Sequence, residues 1–124
     1  MLSLADLEML ELVLDCCHPY QLEPLASVEA EAFFNQLLAD YPEPMNREGL
    51  RTWLTKQIPQ HFRVYKERPR WIQGAAWAFA EGQPMIFAGQ IDLDGPDRPM
   101  YHDDTSLYVF IAPRQEPVAV LQQY

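Results

Sequence analysis

No lysine or arginine occurs in the first 46 residues, which hold nine aspartates and glutamates. Residues 47 to 70 reverse the sign, with seven of the nine basic residues against Glu48 and Glu67. Residues 71 to 124 return to acid, with Arg98 and Arg114 against seven carboxylates. The segment charges are −9, +5 and −5, and the whole chain carries −9. Phosphates must be met by a basic surface, so this shortage of cations excludes nucleic acid as the expected partner. No apolar run approaches the roughly 20 residues of a membrane span, so no membrane contact is expected. No basic stretch precedes an apolar core at the N-terminus, and no secretory signal is read there. Cysteine is confined to Cys16 and Cys17; neighbours cannot staple distant parts of a chain, which excludes a disulfide framework. Cytoplasmic residence is the default that follows. No catalytic motif is found, so the chain is read as a non-enzyme with no catalytic residue and no cofactor.

What is present suffices for a core: 48% hydrophobic and 12% aromatic residues in a chain of 124. One ordered domain over 1–124 is expected, with a helical part over 1–60 and a sheet part over 61–124. Ser3 can cap a first helix with Asp6 reaching back to its amides. Leu4, Leu7, Leu10, Leu14 and Cys17 recur at helical spacing, and Met9, Val13 and Cys16 widen that stripe. His18-Pro19 ends it. Ser27 caps a second helix through Tyr41, with Glu29 and Glu31 near its positive end and Phe33, Phe34, Leu37, Leu38 and Tyr41 inward. Asn46 opens a third, carrying Leu50, Trp53, Leu54 and Ile58, with Pro59 as its end or kink. His61 to Arg70 is compatible with strand or helical turn.

From Trp71 the pattern turns to strands. Trp71-Ile72-Gln73 reads as a short edge strand and Trp77-Ala78-Phe79 as another. Glu81-Gly82-Gln83 is a turn. Met85 to Leu93 follows, with Met85, Phe87, Gly89, Ile91 and Leu93 facing the helices and Ile86, Ala88 and Gln90 facing away. A bulge near Gly89 would reverse everything after it. Asp94 to Pro99 is a loop, and Ser106–Ile111 and Val118–Leu121 are the last strands. The expected fold is α+β: about three N-terminal helices on a C-terminal antiparallel meander of about four strands.

Trp71-Ile72-Gln73, Trp77, the run from Gly82 through Pro84-Met85, Phe87 and Gly89-Gln90-Ile91-Asp92-Leu93, and Tyr108-Val109-Phe110 together resemble the bacterial YwqG-like family of unknown function. That family carries a pattern similar to P-L-x-F-x-x-Q-I-D-L followed by L-x-F-F, and builds a sheet from such segments. The resemblance covers about the last 45% of the chain and implies a bacterial, cytoplasmic protein. It supplies no catalytic residue. The chain is shorter than the family's members, and its acidic helical half has no counterpart there. In size and charge it is also similar to small acidic bacterial immunity proteins, an analogy that does not fix function.

Three clusters invite chemistry. Asp92, Asp94 and Asp97, followed by Tyr101-His102-Asp103-Asp104, could offer oxygens to Mg²⁺ or Ca²⁺, yet the spacing matches no EF-hand. Cys16-Cys17-His18 lacks a second ligand pair for zinc, and cysteines on an apolar helix face behave as small hydrophobes. No metal site is expected. Arg63, Lys66, Arg68 and Arg70, interleaved with Tyr65 and Trp71, form the basic stripe. Pairing with acids of the first two helices is its expected role. Gln73 and Gln90 are expected to hydrogen-bond to backbone.

The reading that results is a non-catalytic module binding a basic protein, as a bacterial immunity or inhibitor protein binds a toxin. Asp6, Glu8, Glu11, Asp15, Glu29 and Glu31 would form the acidic surface, with Trp77 as a partly exposed anchor and Ile86 on the outer sheet face. A homodimer is compatible with that outer face. The alternative is a small-molecule or divalent-metal site formed by Gln90, Asp92, His102 and Asp104.

Overall fold

Caps and prolines divide the N-terminal half into three helices. The computed structural model describes residues 2–93 and 105–123. Helix α1 spans Leu7–Cys17, and its cap is Asp6, whose carboxylate accepts from the Glu8 amide at 2.9 Å. The expected cap at Ser3 is displaced because Asn35 of the next helix takes the Leu4 amide at 2.8 Å. That bond holds residues 3–5 as a turn, and Ser3 Oγ accepts from the Ala5 amide instead. Pro19 ends α1 and places a 3₁₀ turn at His18–Tyr20. Helix α2 spans Val28–Ala39, with Ser27 Oγ accepting from the Ala30 amide at 3.0 Å as its composition requires. Helix α3 spans Arg47–His61 behind the Asn46 cap, and it continues two residues past Pro59.

Helix α1 buries Met9, Leu12, Val13, Cys16 and Cys17, while Leu7 is 67% exposed. The expected stripe through Leu4, Leu7, Leu10 and Leu14 is therefore rotated by about one residue. Residues 7 to 17 carry two overlapping apolar stripes, and packing against α3 selects one of them.

Strands β1 (Phe79–Ala80) and β2 (Gln83–Pro84) form a two-stranded hairpin. Glu81 and Gly82 both take left-handed φ, at 53° and 78°, the signature of a type I′ turn. Strands β3 (Ile86–Asp92), β4 (Thr105–Ile111) and β5 (Val118–Gln123) make an antiparallel meander in that spatial order. The fold is thus α+β, with about five strands in two sheets. Trp71–Gln73 is not a strand. Arg63 and Tyr65 bond instead to both sides of Phe87, so that this segment covers part of the β3 edge.

An aromatic chain joins helices to sheet. Phe34 stacks on Phe62 at 5.5 Å between centroids, Phe62 meets Trp77 at 5.3 Å, Trp77 meets Phe110 at 5.4 Å, and Phe110 meets Phe87 at 5.4 Å. Edge-to-face pairs at these spacings add to burial. The β3 register shifts between Phe87 and Gly89, so a bulge at Ala88 reverses the facing of later residues. Phe87 is buried, but Ile91, expected inside, is 50% exposed. Gln90, expected outside, pairs with core-facing Tyr108 and lies on the inner side.

Candidate functional site

The two residues of the ligand-site alternative that are described, Gln90 and Asp92, follow each other on the inner side of β3 after the bulge. Asp92 Oδ1 accepts from Ser106 Oγ at 2.6 Å and from Gln90 Nε2 at 3.0 Å, while Oδ2 accepts from Arg70 Nη2 at 3.2 Å. Those bonds, the Ser106 and Gln90 bonds foremost, hold the Asp92 carboxyl below its ordinary range. Gln90 Oε1 accepts from the Arg70 amide at 2.8 Å, and its Nε2 donates to the Arg70 carbonyl at 3.2 Å. The expectation that Gln90 bonds to backbone holds. The polar atoms of this pair are engaged in tying Arg70 to the sheet. His102 and Asp104, with Asp94, Asp97 and Asp103, lie outside the described residues. No group of three or more His, Cys, Asp or Glu is arranged to hold a metal among the described residues.

A second clamp joins the chain after Arg70 to β4 and β5. Tyr108 Oη donates to the Arg70 carbonyl at 2.7 Å and accepts from the Ile72 amide at 3.1 Å. Gln122 Oε1 accepts from the Ile72 and Gln73 amides, each at 3.1 Å, and its Nε2 donates to the Gly74 carbonyl at 2.8 Å. Residues 71–74 are thus held by side chains in place of a strand ladder, which explains the failed strand expectation. Gln73 also bonds to backbone, its Nε2 donating to the Gln123 carbonyl. The polar roles of Ser106, Tyr108 and Gln122 carry no local sequence signal, because their partners lie 14 to 50 residues away.

Trp77 is buried at 7% exposure, which corrects its expected role as a partly exposed anchor. Its Nε1 donates to the Met85 carbonyl at 2.8 Å, so the indole is both packed and satisfied. It lines a cavity of about 340 Å³ between the start of α2 and residues 75–79, together with Leu22, Phe34, Phe62, Phe79 and Val120. Glu23 and Glu29 stand at this cavity.

Two surfaces remain. Asp6, Glu8, Glu11, Asp15, Glu29 and Glu31 are all exposed. Glu8, Glu11 and Asp15 follow at three- and four-residue steps and so share one face of α1. The ion pair to these acids among the described residues is Arg51–Asp15 at 3.6 Å. The basic stripe turns elsewhere, which corrects its expected pairing with α1 and α2. Arg70 binds Asp92 and Glu67, and Arg68 lies 4.5 Å from the Tyr20 ring centroid.

The other surface is the outward side of the meander, where register places Ile86 opposite Ile111, Ile91 opposite Leu107, and Leu107 opposite Leu121. Val109 and Ala119 lie on it as well, with Gly89 beside Val109 and the polar pair Thr105 and Gln123 at one end, where Thr105 is buried. Ile91, Ile111 and Leu121 are 50%, 40% and 55% exposed. Ile86 lies here as strand alternation leads one to expect, and Ile91, expected inward, joins it because the bulge carries it outward.

Cys16 and Cys17 are buried and their thiols are pushed up by burial, so they are packing groups and poor nucleophiles. No described helix is long and apolar enough to cross a membrane. No family model, no curated protein and no solved structure matches this chain.

Proposed function

We propose that this chain is a non-catalytic protein-binding module that engages a basic partner through the acidic face of α1, in the manner of an immunity or inhibitor protein acting on a basic toxin. The observation that carries this reading is the exposed row Glu8, Glu11 and Asp15 in a segment without one basic residue. Such a field raises encounter rates with a cationic surface and weakens with salt. The engagement of Gln90 and Asp92 within the fold favours this reading over a polar ligand site at the end of the sheet.

The test captures partners from lysate of the source cells on immobilised protein at about 50 and about 500 mM salt. Each captured protein is then purified and its association rate measured. A basic protein whose on-rate falls at least tenfold with salt and with Glu8→Lys/Glu11→Lys supports the proposal. An on-rate indifferent to both sinks it.

A further inference from the structure

The helices share one core with the inner side of the meander, through Phe62, Trp77, Phe87 and Phe110. The outer side has no such layer in the described chain. A solvated sheet face is ordinarily polar, giving strands an alternation of hydrophobic and polar residues. Here both sides of β4 are apolar: Tyr108 and Phe110 point in, while Leu107, Val109 and Ile111 point out. The outward side carries Ile86, Ile91, Leu107, Val109, Ile111 and Leu121, and no charged residue lies on it among the described positions of the three strands. Gly89 adds a hollow beside Val109, since a Cβ built there meets nothing within 4 Å. Its φ is not positive, so backbone conformation does not demand glycine.

We propose that this face is covered by a second copy of the chain, two meanders packing face to face about a two-fold axis. Charge decides between occupants. A neutral face offers a basic partner nothing to recognise, whereas the acidic face of α1 does. Two chains of −9 repel unless their contact keeps the acids apart. Face-to-face packing does so for the acids of the helices, because sheets lie ~10 Å apart and both helical layers lie beyond them. The α1 and α2 acids of the two copies are then separated by more than the ~8–10 Å screening length.

An isologous contact also needs only one self-complementary patch, and aligned sheets interdigitate side chains such as these. Strands of about seven residues, three abreast, span roughly 24 by 14 Å. With side-chain relief the pair buries on the order of 1,000 Å², at the lower margin for specific interfaces. The dimer is accordingly expected to be weak and concentration-dependent.

Sedimentation velocity of the wild-type chain from about 1 to about 300 μM tests this by mass action. The expected result is a rise from the 14.4 kDa chain mass toward twice that value, sustained in high salt. Ile91→Glu/Leu121→Glu, at two positions half exposed in the single chain, should stay monomeric throughout with an unchanged melting temperature. In the wild type, concentration-dependent amide shifts should concentrate on Leu107, Val109, Ile111 and Leu121 and spare α1. A monomer at every concentration overturns the proposal, as does a dimer that survives the double substitution or shifts confined to the helices. Failure here leaves the salt-sensitive binding test of α1 untouched, because that test reads a different surface.

Discussion

Gln122→Leu isolates the clamp that holds residues 72–74 without a strand. The substitution keeps roughly the volume of a side chain that is 6% exposed and deletes three hydrogen bonds. The Ile72 amide keeps Tyr108 Oη as a partner, so its loss is small. The Gln73 amide and the Gly74 carbonyl lose their bonds to Gln122, but both residues are exposed and water can replace part of what is lost. At ~1 kcal/mol for each bond lost, partly offset by the added apolar burial, the expected destabilisation is about 2 kcal/mol. For a chain of this length that corresponds to a melting shift of roughly 6–10 °C. Tyr108→Phe alone should cost about 1 kcal/mol, because the Arg70 carbonyl retains Gln90 Nε2 and the Ile72 amide retains Gln122. Together the two substitutions strip the Ile72 amide of both partners, and the cost should exceed the sum by about 1 kcal/mol. Urea unfolding followed by tryptophan fluorescence reads this directly, since the Trp71 ring lies 4.6 Å from Tyr108. A Gln122→Leu protein within about 0.5 kcal/mol of wild type, or a strictly additive double variant, would refute the clamp.

Phe87 is 2% exposed against Phe110 and Trp77, so Phe87→Ala should cost ~3–5 kcal/mol in urea unfolding. Ile86→Glu on the outward side should leave the single chain folded; the opposite pattern would show the strand faces reversed. Burial beside Phe33, and then the nearby Arg63, lower the His61 pKa below its ordinary 6.5. The unfolded chain therefore takes up this proton at higher pH than the folded one. Stability should fall as pH drops from about 6.5 toward the folded pKa and level off beneath it. Melts between about pH 7.5 and pH 5 should show a smaller decline in His61→Gln, and an unchanged decline would remove His61 as its source.

The sequence by itself determined the elements whose signals are local. Ser27 and Asn46 satisfy amides three residues ahead, Pro19 stops α1 two residues before it, and Glu81-Gly82 supplies the left-handed pair that a two-residue hairpin needs. The run of β-formers from Ser106 to Ile111 marks β4, and the order of helices before strands makes the fold α+β. The acidity of α1 was equally legible, because charge needs no partner to be counted.

Tertiary structure decided whatever depends on a partner distant in sequence. Two apolar stripes compete on α1, and contact with α3 chose the one that leaves Leu7 in solvent. The cap moved from Ser3 to Asp6 because Asn35, 31 residues beyond Leu4, took the Leu4 amide. The small neighbours of Trp77 suggest a partly exposed anchor, but Met85 and Phe62 enclose it. The bulge at Ala88 turned Ile91 outward and brought Gln90 and Asp92 inward to Arg70. One extra residue changes the side of every residue after it, since strand side chains alternate with a period of two. Only pairing with β4 determines where that residue falls.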